Sequence, residues 1–100
     1  MQKPELKEQK HKRILKMYED LTEHKIDYTV CLNFMSYVFG VSETYLTVIL
    51  KSNKLSDFEN VKLEHYDLDI MLVDAYVKKL YKQAREQRNS THQLTLNLNS

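Results

Sequence analysis

The chain has 100 residues, 42% apolar and 29% charged, enough for one modest hydrophobic core, and this argues against a multidomain enzyme. One glycine and one proline disfavour a many-turned β protein and favour a few helices joined by short polar links. A formal net charge of +1 excludes a strong overall pull on a polyanion, so any nucleic-acid contact must rest on local charge.

That charge is unevenly spread. Residues 1–25 carry seven Lys/Arg against five acids, 57–74 six acids against Lys62, and 78–88 five bases against Glu86. The single cysteine, Cys31, sits among apolar neighbours and reads as a buried structural thiol in a reducing, cytoplasmic setting. No CxxC or HxxxH pair joins it to His24, His65 or His92, so no metal or other cofactor is expected. No apolar run approaches the roughly 18 residues of a membrane span, and the lysine-rich start lacks a signal-peptide core.

In chain order, Pro4 and Glu5 suit the start of a first helix running to about Glu23. Leu6, Ile14, Leu15, Tyr18 and Leu21 mark its apolar stripe, while Lys7, Lys10, Lys12, Arg13 and Lys16 crowd the other faces. Those bases read either as a solvated face or as phosphate contacts. Asp27 is a suitable N-cap for a second helix over 28–39 that turns Val30, Cys31, Phe34, Met35 and Val38 inward. Gly40 can take the positive φ that ends it, and Ser42 can cap a third helix with an acid, Glu43, in its first turn. With Leu46, Ile49 and Leu50 inward, Glu43, Thr44, Thr47, Val48 and Lys51 fall on or near the outer face.

The stretch KSNKLSDFENVK reads as a loop or short β excursion anchored by Leu55, Phe58 and Val61. A last helix is expected after Asp67 or Asp69 as N-cap. Its apolar residues Leu68, Met71, Leu72, Ala75, Tyr76, Val77, Leu80 and Ala84 spread wider than one core stripe. Either the helix covers the core on two sides, or residues 68–84 form a homodimer contact. From Gln87 the chain is rich in Asn, Ser, Thr and Gln and is expected to be a disordered tail over 87–100.

The segment LNFMSYVFGVSETYLTVILK resembles the core of the bacterial and phage helix-turn-helix families, which include regulators and transposase DNA-binding modules. Gly-Val-Ser is its most recognisable part, and Ser36 supplies the small residue four before the turn glycine. The resemblance covers about a fifth of the chain. It implies double-stranded DNA as partner, with groove-facing positions at Ser42, Glu43, Thr44, Thr47, Val48 and Lys51 and with Tyr45 at the margin. The outward face carries no Arg, Asn or Gln, so the usual bidentate base readers are missing and specificity would be modest or indirect. Phosphate anchoring is expected from Lys51, Lys54, Arg13 and Lys16, with Thr44 and Thr47 meeting base edges.

In the tail, QLTLNL resembles the peptides by which bacterial DNA-processing proteins bind the replication sliding clamp. That resemblance places partner contacts at Gln93, Leu94, Leu96 and Leu98; the alternating leucines equally suit a pairing strand. Asp67, Asp69 and Asp74 form a small acidic cluster, but Asp67 and Asp69 read more simply as helix caps with favourable dipole placement. With no Walker loop, nucleophile elbow or paired-His motif, no enzyme is expected. The expectation is an all-α bundle of about four helices over 1–86, with the helix-turn-helix motif at 28–53. It would be a non-catalytic DNA-binding regulator or transposition accessory. The alternative is an adaptor that grips a protein through its last helix or its tail.

Overall fold

The computed structural model describes residues 6–99, with side chains described over 6–86. Among the described residues four helices make an all-α bundle: α1 Lys7–Glu23, α2 Tyr28–Phe39, α3 Glu43–Ser52 and α4 Tyr66–Asn99. Between α3 and α4 a single 3-10 turn, Leu55–Phe58, stands where a loop or β excursion was expected. No strand occurs among the described residues. The expected tail over 87–100, with its Gln93, Leu94, Leu96 and Leu98 peptide, lies outside the described side chains.

Helix α1 is the element on which the others rest: it packs against α2, α3, α4 and the 3-10 turn. Its stripe of Ile14, Met17 and Leu21 is wholly buried because those positions recur at helical spacing on one face. Cys31, Leu32 and Met35 of α2, Leu46 and Ile49 of α3, and Val73 and Val77 of α4 close the core around it. Phe34 and Tyr76 stack at a centroid distance of 3.9 Å and join α2 to α4. Val30, Phe34 and Val38 are only half-buried, whereas Leu32 is fully in the core.

The connections show how a chain with one glycine turns its corners. After α1, the Lys25 N–H donates to the Thr22 carbonyl at 2.9 Å and the Ile26 N–H to the Leu21 carbonyl at 3.2 Å, the two bonds of a Schellman cap. Lys25 therefore takes the left-handed position with φ 61. Ile26 packs on the core beside Leu21, the apolar contact that completes the motif. Gly40 does the same work after α2 at φ 65, with the Val41 N–H donating to the Ser36 carbonyl at 3.3 Å. The Ser36 hydroxyl donates to the Val41 carbonyl at 2.5 Å, tying the turn to the helix it leaves.

Of the two expected caps, Asp27 keeps its position and the one for α4 is corrected. Asp27 stands at the N-cap of α2 but its carboxylate makes no capping bond. Helix α4 begins at Tyr66, so Asp67 and Asp69 lie inside its first turn rather than at its cap. Their charge still suits the positive end of the helix, but Asp69 is only 3% exposed and does something else.

Candidate nucleic-acid interface

The outer face of α3 is assembled by local rules. Ser42 is extended, and its Oγ accepts from the Tyr45 N–H at 3.1 Å, which starts the helix. Leu46 and Ile49 are then buried against α1 and α2, and the period leaves Glu43, Thr44, Val48 and Lys51 exposed on one contiguous strip. Val48 is 55% exposed, an apolar side chain in water at the middle of the strip.

Thr47 lies on the same strip but is half-buried. Its hydroxyl donates to the Glu43 carbonyl at 3.0 Å and accepts from the Tyr28 hydroxyl at 3.4 Å. The proton of Thr47 is thus used within its own helix, and the group it still offers outward is the methyl. Tyr28, at the first position of α2, thereby stands beside α3; its ring meets Tyr18 edge-on at 6.1 Å. Lys51 and Lys54 are both exposed at the far end of α3. The Lys54 N–H donates to Asp57 Oδ2 at 2.8 Å, opening the 3-10 turn.

The two bases expected from α1 are turned to other tasks. Arg13 Nε and Nη2 donate to Asp69 Oδ2 and Oδ1, each at 2.9 Å, a two-pronged pair that fixes α4 on α1. The Arg13 guanidinium also lies over the Phe39 ring at 5.0 Å. Lys16 Nζ stands 5.4 Å from the centre of the Tyr66 ring. Lys12 donates to the Val61 carbonyl at 2.7 Å, holding the connector to α1. The middle bases of α1 thus face the fold.

A grouping that the sequence alone does not bring together lies at the near end of α3. Lys10 Nζ is 6.0 Å from the centre of the Tyr45 ring, and Tyr45 is in the first turn of α3. The Tyr45 hydroxyl is 3.1 Å from His11 Nε2; the His11 ring meets Phe58 edge-on at 6.2 Å. Burial first, then the charges of Lys7 and Lys10, hold His11 below its ordinary pKa of 6.5. Lys10 and His11 are ordinary members of a charged helix face in the sequence; only their packing against Tyr45 distinguishes them.

Among the described residues no three of His, Cys, Asp and Glu converge in a way that could hold a metal ion, and no helix is long and apolar enough to cross a membrane. The sequence matches no protein-family model, and no curated protein or solved structure is significantly similar to it.

Proposed function

We propose that the protein is a non-catalytic DNA-binding protein that lays the outer face of α3 in the major groove of a duplex. The observation that carries this reading is the placement of cations at both ends of an exposed, short-chained helix face: Lys10 beside its first turn, Lys51 and Lys54 at its last. A groove-entering helix needs this pattern, because small side chains admit the helix while flanking bases grip the phosphates on either side. Lys7 and Lys10 take the role expected of Arg13 and Lys16, whose heads serve Asp69 and Tyr66. The methyls of Thr47 and Val48 suit apolar contact with thymine, and Glu43 can accept from cytosine. With no bidentate reader on the strip, discrimination rests mostly on groove shape. Such a protein is of the kind found among regulators and transposition modules and works in the cytoplasm.

Fluorescence anisotropy of a labelled duplex, titrated at two salt concentrations, tests the reading. Removing Lys7 and Lys10 together, or Lys51 and Lys54 together, should weaken binding and flatten the salt dependence by about 0.9 for each phosphate no longer neutralised. Replacing Lys78 and Lys79 should leave that slope unchanged. Absence of binding at low salt, or indifference to Thr47→Ala combined with Lys51→Ala, would end the groove reading.

A further inference from the structure

The side of α4 turned away from the bundle is apolar where a solvated helix would be polar. Leu68, Met71, Leu72 and Ala75 recur at spacings of three and four, which sets them on one strip. Asp69, Val73 and Val77 occupy the opposite side and are the buried ones. Leu68 is 51%, Met71 65% and Leu72 46% exposed. α4 rests on the bundle mainly through α1, so covering the core does not account for this second strip.

Charge along the strip is polarised. Asp67, exposed, stands at its amino end with Glu64, also exposed, in the turn just before the helix, and Lys79 and Lys82, both exposed, continue it at the other end. Lys78, next to them, pairs with Asp74 of its own helix at 3.0 Å. We propose that this face is covered by a second copy of the chain, the two α4 helices running antiparallel about a twofold axis between Leu72 and Ala75. In that arrangement Leu72 and Met71 of each copy meet Ala75 of the other, and the aliphatic stem of Lys79 lies along the facing Leu68. The ammonium groups of Lys79 and Lys82 then reach Asp67 and Glu64 across the contact. A parallel pair would set these lysines against their own copies, and like charges in that position repel. The self-complementary order of acid, apolar and base along one helix is what an isologous contact requires.

The contact is at the low end of interface sizes, so dimerisation with a dissociation constant on the order of micromolar is expected. Sedimentation of the full chain over a concentration series tests it. The unaltered protein should pass from monomer to dimer, and Leu72→Glu should weaken association by at least about tenfold. Helicity by circular dichroism should stay unchanged, since Leu72 points away from the core; Met71→Lys provides a second variant with the same expectation. Orientation is read by cysteine cross-linking. In the antiparallel pair two copies of residue 68 lie about 16 Å apart along the helix axes, too far for a disulfide, while residue 68 faces residue 79. Leu68→Cys mixed with Lys79→Cys should therefore form covalent dimers, and neither variant alone should. A monomer at all concentrations, or covalent dimers from each variant by itself, overturns the proposal. Neither outcome touches the DNA reading, which a duplex titration of the same variants measures separately.

Discussion

A guanidinium on α1 and a carboxylate on α4 meet through two hydrogen bonds of 2.9 Å, and the carboxylate side chain keeps only 4% of its surface in water. Taking a charge that far out of solvent is unfavourable without a partner, so removing either member leaves the other stranded. Asp69→Ala should cost about 3 kcal/mol, the low end for a broken buried pair, because Arg13 retains 26% exposure and can rehydrate. Urea denaturation measures this as a lower midpoint at unchanged slope. Two of the three left-handed residues, Gly40 and Lys25, make a matched pair of tests. An added Cβ at Gly40 meets nothing within 4 Å, so Gly40→Ala should lose only the backbone term of about 1–2 kcal/mol. Lys25 already bears that strain at φ 61, and Lys25→Gly should therefore gain up to about 1 kcal/mol in the same assay. His11 gives a pH signature. Its folded pKa is depressed below 6.5 by burial and by Lys7 and Lys10, so below that value the unfolded chain takes up the proton first. Its contribution to stability is complete above 6.5 and is lost as pH falls through the folded pKa. His11→Gln should remove that part of the slope in denaturation profiles recorded on either side of neutrality.

At the scale of elements, helices α2 and α3 were the most legible from sequence, because each carries its own punctuation. The expected span 28–39 is the observed α2, Gly40 ends it, and Ser42 caps α3 with the bond its type implies. Leu46 is fully buried, as its spacing from Ile49 and Leu50 requires. Leu46→Ala should cost about 2–5 kcal/mol through reduced burial and the cavity left behind, read as a drop in thermal midpoint. The stretch between α3 and α4 was less legible. Its 3-10 turn depends on Asp57 reaching back to the Lys54 N–H and on Phe58 finding a buried place, and neither follows from periodicity. Which bases of α1 face outward was likewise hidden. Arg13 and Lys10 are equally charged in the sequence, and only the positions of Asp69 and Tyr45, brought in from distant segments, send one inward and set the other beside α3.

In the whole molecule, α1 packs against each of the other helices and the 3-10 turn, and α2 also packs on α3, so the core is one unit rather than a helical pair with additions. Met17 is 1% exposed at the centre of that arrangement. Met17→Ala should lower stability by about 2–5 kcal/mol, and fluorescence and circular dichroism should still report a single coincident transition. The α4 helix belongs to this unit through Asp69, Val73, Tyr76 and Val77, all at its amino half. That such a helix closes the bundle was readable from its apolar content. Which of its apolar residues form the inner strip and which the outer was not, because the sequence does not say against which neighbour the helix is rotated. The inner strip is fixed by the Arg13–Asp69 pair and the Phe34–Tyr76 stack, both of which join distant segments.

Cys31 is the chain's one cysteine; it is fully buried and its thiol donates to the Ile26 carbonyl at 3.5 Å. Burial first, and the carboxylate of Asp27 second, push its pKa up from 9.0, so while the bundle is closed the sulfur has neither access to a reagent nor the thiolate form that attacks one. The protein therefore carries its own stopwatch: an aromatic disulfide reagent can colour the solution only as fast as the helices part, with no label introduced and no residue changed.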